Sequence, residues 1–206
     1  MDNNLFPTKS NLIIAKNTLA LSKQGYELLD KKRNLLIREM MSLIDRAAEV
    51  QNDINNIFQE AYQVLQRANI TTGIETVRDM ADAVEIENDV SVRFRSIMGV
   101  ELPVVNVHAQ DNLPQYGMFS TVSSLDEAYN KFRQVKELTI KLAEIENSVY
   151  RLAINIKKTQ KRANALKNNT IPRYEEITKH IQEVLEEKER EEFTRLKVVK
   201  RQQSKG

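Results

Sequence analysis

The stretch LIIAKNTLALSKQGYELLDKKRNLLIREMMSL, Leu12 to Leu43, decides the fold. Counted in sevens from Leu12, one series continues through Leu19, Tyr26, Arg33, Met40, Ala47, Ile54, Ala61 and Ala68. An interleaved series runs Ala15, Ser22, Leu29, Leu36, Leu43, Val50, Ile57 and Val64. All but Arg33 and Ser22 are apolar. A stripe stepping alternately by three and four stays in line with a partner only if the two helices wind around each other with a left-handed twist, so the pattern predicts a coiled-coil seam. At about 1.5 Å per residue the helix would be about 85 Å long, more than a globular core needs.

Working outward, a second seam follows SSLDEAY, where Ser123 or Ser124 can cap a helix start and acidic residues suit its positive end. It reads Val135, Leu138, Leu142, Ile145, Val149, Leu152, Ile156, Thr159, Ala163, Leu166 and Thr170, and resumes beyond Pro172 as Tyr174, Ile177, Ile181 and Val184 or Leu185. The step from Thr170 to Tyr174 adds four residues where three are expected, which predicts a stutter with local unwinding. Pro172 lacks a backbone donor and costs a helix interior about 3 kcal/mol, which predicts a bend there.

Two long seams near the two ends of one chain are satisfied by folding back antiparallel. The expected architecture is a mainly α, left-handed two-helix coiled coil with a small central insert. Residues 1–70 form the first helix, 71–122 the insert, 123–201 the second helix with its bend at 172, and 202–206 a tail. Equal rise makes partner numbers sum to about 193. Residues after Leu185 then outrun the first helix, and Glu186 with Arg190 and Glu191 with Arg195 support the overhang as i, i+4 pairs. In the insert, Thr71 to Gly73 break the first helix, IETVRDMADAVE reads as a short amphipathic helix, and residues 90–108 read as a β-hairpin turning at Met98 and Gly99 with Pro103 on an edge. DNLPQYGMFS reads as a loop.

Composition agrees with long helices: five glycines and four prolines punctuate 206 residues. Lys and Arg number 31 against 29 Asp and Glu, and a net charge of +2 gives no field to draw nucleic acid or an anionic membrane. Cysteine is absent, which removes disulfides and thiolate metal sites and fits a reducing compartment. No apolar run approaches a spanning helix, and MDNNLFP lacks the regions of a signal peptide, so a cytoplasmic chain without direct membrane insertion is expected.

Chemistry is not expected. The glycines at 25, 73, 99, 117 and 206 build neither a GxxxxGK nor a GxGxxG loop. His108 and His180 stand in no metal-binding or triad-like spacing. No catalytic residue, cofactor or metal is therefore predicted. Surface positions speak of partners instead. Beside the first seam Ile37, Ile44, Phe58 and Leu65 widen the apolar stripe, and either the insert or a separate polypeptide should cover it. On the second helix Ile140, Ala143, Tyr150 and Ile154 form a broken stripe turned away from the seam, a candidate partner face. Arg93 and Arg95 mark the hairpin. Periodicity alone leaves open a free-standing coiled-coil tether or export-apparatus adaptor.

Two terminal blocks are more specific. PTKSNLIIAKNTLALSKQGYELLDKKRNLL and KRANALKNNTIPRYEEITKHIQEVLEEKEREEFTRLKVVK resemble the D subunit of the V-type and archaeal-type (A-type) rotary ATPases, and SIMGVELPVV resembles that family's hairpin block. Ala163 and the polar Asn168, Asn169 and Thr170 depart from it. The resemblance implies a non-catalytic central rotor stalk that passes torque between a catalytic head of A and B subunits and the membrane ion-translocating ring, for ATP synthesis or for proton or other ion transport. Implied partners are the A and B subunits, the F subunit of the stalk and the membrane-ring adaptor (C or d), with the chain peripheral to the membrane. The overhang would be a bearing tip, carried by Lys188, Arg190, Phe193, Arg195 and Lys197. The short insert argues against the F-type γ subunit.

Overall fold

A computed structural model describes residues 6–84, 90–107 and 122–203. In chain order these form helices α1 (Lys9–Thr72) and α2 (Ile74–Asp82) and strands β1 (Val90–Ile97) and β2 (Val100–Val107). Helix α3 (Ser123–Ala165), a π-helical turn (Leu166–Thr170) and helix α4 (Ile171–Gln203) follow. The chain divides into two compact units, one of Met1–Leu35 with Ile156–Gly206, the other of Leu36–Asn155. The expected loop DNLPQYGMFS and His108 lie outside the described residues.

In the first unit the start of α1 is closed by its own side chains. Thr8 Oγ1 accepts from the Asn11 amide at 3.2 Å, and Asn11 Nδ2 donates to the Phe6 carbonyl at 2.8 Å. Such a cap satisfies donors that the helix cannot pair internally. Every seam residue named above in this unit is buried or half-buried, with Ala15, Ser22, Thr159, Ala163 and Ile181 among the buried ones. The buried Ser22 hydroxyl donates to the Thr18 carbonyl at 2.7 Å, so it leaves no unpaired group in the seam. Arg33 occupies a seam position with its charge met, by Asp30 at 2.6 Å and by Gln160 Oε1 at 2.8 Å. The Arg33 and Gln160 numbers sum to about 193, as the equal-rise argument requires.

The register change near Pro172 differs from the expected stutter. The Ile171 amide donates to the Leu166 carbonyl, an i to i−5 bond, so the turn takes up one extra residue and the chain remains helical through Pro172. Counting eight rather than seven leads from Leu166 to Tyr174 and from Thr170 to Thr178. Thr178 and Ile181 are the buried residues of α4, whereas Ile177 is only half-buried. The seam therefore carries a single inserted residue absorbed by a π turn. Thr178 replaces Ile177 in it because the Thr178 hydroxyl bonds the carbonyls of Tyr174 and Glu175 and can be buried.

Within the second unit Leu36, Leu43, Ile54, Ala61, Val64 and Ala68 from α1 and Leu125, Ala128, Val135, Ile145 and Leu152 from α3 are all buried. Leu36 and Leu152 are fully enclosed, each contributing about 1.5–3 kcal/mol by burial. Gly73, at φ 94°, ends α1 in a conformation that favours glycine and turns the chain into α2. Val77 of α2 then packs on Ala68 and Leu125, with Leu65, Met80, Val84 and Tyr129 around them. The expected serine cap of α3 does not form through Ser124, whose hydroxyl is buried without a hydrogen-bond partner among the described residues.

Strands β1 and β2 pair antiparallel from Ile97 with Val100 out to Val90 with Val107. They are joined by Met98 at φ 51° and Gly99 at φ 75°, the two positive angles of a type I′ turn. Val100 and Leu102 are buried. Three side chains tether the hairpin: Glu144 accepts from the Val105 amide at 2.9 Å, Arg151 donates to the Glu101 carbonyl at 3.3 Å, and Arg95 faces Glu39 at 3.9 Å. Arg151 also lies 5.2 Å from the Phe94 ring centre, a cation–π contact.

Candidate functional site

At the end of the first unit, Lys9 Nζ meets Glu189 Oε1 at 2.9 Å, so α1 and α4 remain in contact four residues beyond Leu185, where the first helix was expected to run out. The bond to Glu189, then the general attraction of that carboxylate, raises the Lys9 pKa above its ordinary 10.5. Helical spacing organises the stretch beyond: Phe193, Leu196 and Val199 recur every three residues and therefore share a face. Phe193 is 70% and Leu196 68% exposed, an apolar stripe on a helix with no covering element among the described residues. Lys188, Arg190, Arg195 and Lys197 are exposed around it, and Arg195 pairs with Glu191 at 3.9 Å as the i, i+4 spacing requires. A shallow depression runs along Glu186, Glu189, Arg190, Phe193 and Thr194.

The second unit holds the other residues singled out from the sequence. Tyr150 is 67% exposed and Ile154 is exposed beside it, while Ile140 is half-buried. On α1 Ile44 is exposed and Ile37 half-buried. Phe58 is drawn into an aromatic group instead, its ring centre 5.8 Å from that of Tyr62 and 6.5 Å from that of Phe132, with Glu60 and Lys131 paired alongside at 2.6 Å. Leu65 is covered by α2 and helps line an apolar groove of about 330 Å³ with Val77, Met80, Leu125 and Phe132. The widened stripe is thus met in part by the insert. Arg93 is exposed and Arg95 reaches Glu39.

Sequence reasoning missed a third heptad row, Ile14, Leu21, Leu28 and Leu35, all exposed on α1. Its period of seven was visible in the opening stretch, one position away from the seam. It also missed Glu144 and Arg151, whose spacing of one heptad places both on the same face of α3. Among the described residues no group of three or more His, Cys, Asp or Glu could hold a metal ion, and no helix is long and apolar enough to cross a membrane.

Comparison with known proteins gives a consistent family. The model of the family described as the ATP synthase D subunit matches residues 11–201. The chain is 45% identical over 194 residues to the V-type ATP synthase D subunit of Thermotoga neapolitana, covering 94% of this chain and 96% of that protein. It is 37% identical over 199 residues to the A-type ATP synthase D subunit of Pyrococcus abyssi, covering 94% and 92%. With the A-type ATP synthase D subunit of Methanobrevibacter smithii it shares 36% over 197 residues, covering 94% and 85%.

Proposed function

This chain belongs to the ATP synthase D subunit family, and from that premise we propose that it is the central rotor shaft of a V/A-type rotary ATPase. It transmits torque between a catalytic head of A and B subunits and a membrane ion-translocating ring, itself contributing no catalytic residue. Its neighbours are A and B at the overhanging end of α4, the F subunit of the stalk, and the ring adaptor. It sits on the cytoplasmic side, peripheral to the membrane.

The observation that carries this reading is the overhang. A helix that leaves its partner after Glu189 and then presents Phe193 and Leu196 to solvent is built for an external socket, since such a stripe is costly to leave in water. Paired helices behind it resist bending far better than one, which a shaft needs. Stepwise contact of an off-centre tip with three catalytic interfaces would couple rotation to nucleotide chemistry. The test is purification of the tagged chain from its native host. Recovery with a nucleotide-hydrolysing head supports the reading, and a chain that never brings such a head with it defeats it.

A further inference from the structure

The hairpin has two unlike edges. In an antiparallel ladder, opposite residues either exchange both their backbone bonds or point both outward. The Val105 amide is taken by Glu144, so it points away from β1, and its partner Val92 must point away from β2. The alternation then assigns Val90, Val92, Phe94 and Ser96 to the outer edge of β1, and Glu101, Pro103 and Val105 to the outer edge of β2. The β2 edge is closed. Pro103 has no amide to offer, Glu144 occupies the Val105 amide, and Arg151 occupies the Glu101 carbonyl. The β1 edge is open, since the sheet has two strands among the described residues.

That open edge carries charge but no structural block. It is eight residues long, paired in uninterrupted register without a bulge, and contains no proline. One face carries Val90, Val92 and Phe94, exposed by 48, 52 and 57%. The other carries the exposed Arg93 and Arg95; among the described residues the carboxylate near them is Glu39, at the long distance of 3.9 Å from Arg95. A second copy of the same strand would bring arginine against arginine, and like charges placed across a strand pair repel. An acidic strand would instead set its carboxylates beside the two arginines.

We infer that β1 is a docking edge for an extended segment of another protein, which adds as a third strand with apolar residues over Val92 and Phe94 and carboxylates opposite Arg93 and Arg95. Backbone bonds supply the attraction and the arginines the choice of partner. This inference does not depend on the rotor reading.

The test uses the full chain and two eight-residue peptides, one alternating Val with Glu and one alternating Val with Lys, with amide exchange followed by NMR. The Val–Glu peptide should slow exchange at Val92, Phe94 and Ser96 by about ten-fold or more, and the Val–Lys peptide should not. The doubly substituted Arg93→Glu, Arg95→Glu chain should reverse that preference. Val92→Pro, which removes an edge donor while leaving the ladder intact, should abolish the slowing. No slowing, equal slowing by both peptides, or protection falling on the helices would overturn the inference. Protection that grows with chain concentration in the absence of peptide would overturn it in favour of self-association.

Discussion

Gly25 lies against Leu166, the first residue of the π turn, so closely that a methyl group on its α-carbon would stand 3.6 Å from Leu166 Cδ1. That distance is ordinary van der Waals contact, and Gly25 is in a helix with no positive φ to protect. Gly25→Ala should therefore stabilise the chain by about 0.5–1 kcal/mol, the helix penalty of glycine, read as a rise in thermal midpoint. Gly25→Leu should lower the midpoint, because the added carbons have only Leu166 to displace. An alanine variant that melts earlier would mean the glycine is required for close approach.

The π turn separates two explanations of Pro172. Deleting Asn168 restores a spacing of seven from Leu166 to Tyr174 and should convert the turn to ordinary α-helix, with Pro172 then inside a regular helix at a cost of about 3 kcal/mol. Adding Pro172→Ala to the deletion should recover that loss. Pro172→Ala alone, with the π turn retained, should leave the thermal midpoint nearly unchanged and, if the proline aims the shaft by a bend, reduce ion transport per ATP hydrolysed. Circular dichroism with a coupling assay distinguishes these outcomes. Equal stability of the two deletion variants would show that the turn does not accommodate the proline.

What could be read in advance follows from how each feature is encoded. The seam is local and periodic: Leu36, Leu152 and Ile181 are enclosed because each sits on a row that repeats every seven residues. The inserted residue was misread because hydropathy prefers Ile177 to Thr178, whereas a threonine that satisfies its hydroxyl on its own helix is cheap to bury. Glu144 and Arg151 were illegible for a different reason. Their partners, the Val105 amide and the Glu101 carbonyl, are backbone atoms far away in sequence, and no side-chain pattern announces them. The overhang was visible, but its start moved to Glu189 because long side chains let Lys9 reach past the seam geometry.

Lys9 and Glu189 form an exposed pair, so their contribution to stability should be small and sensitive to salt. Its pH dependence has a definite sign. The folded Lys9 pKa is raised, so the pair's contribution is present below 10.5 and is lost as pH climbs through the raised value. The small difference in thermal midpoint between the native chain and Lys9→Met should persist at neutral pH and vanish at strongly alkaline pH or high salt. A difference independent of both would assign the effect to packing of the lysine stem.

Removal of Arg190–Gly206 tests the tip while sparing its support. Every described side chain from Glu186 onward is exposed, and the Lys9–Glu189 contact survives the deletion, so helix content and thermal midpoint should change little. If the chain is the rotor shaft proposed above, the truncated chain in the assembled complex should still permit ATP hydrolysis but should lower ion transport per ATP several-fold, because a shaft without its socketed end would turn without staying centred. The stripe and the charges make separable contributions. Phe193→Asp with Leu196→Asp places charges where burial is expected and should reproduce most of the truncation, since an unpaired charge resists desolvation. Arg195→Ala removes a group that already has Glu191 as a neighbour and should have a lesser effect. If the apolar pair proves silent while Arg190→Ala and Arg195→Ala uncouple the complex, the socket recognises charge rather than the apolar stripe. If all leave coupling intact, the overhang is no bearing.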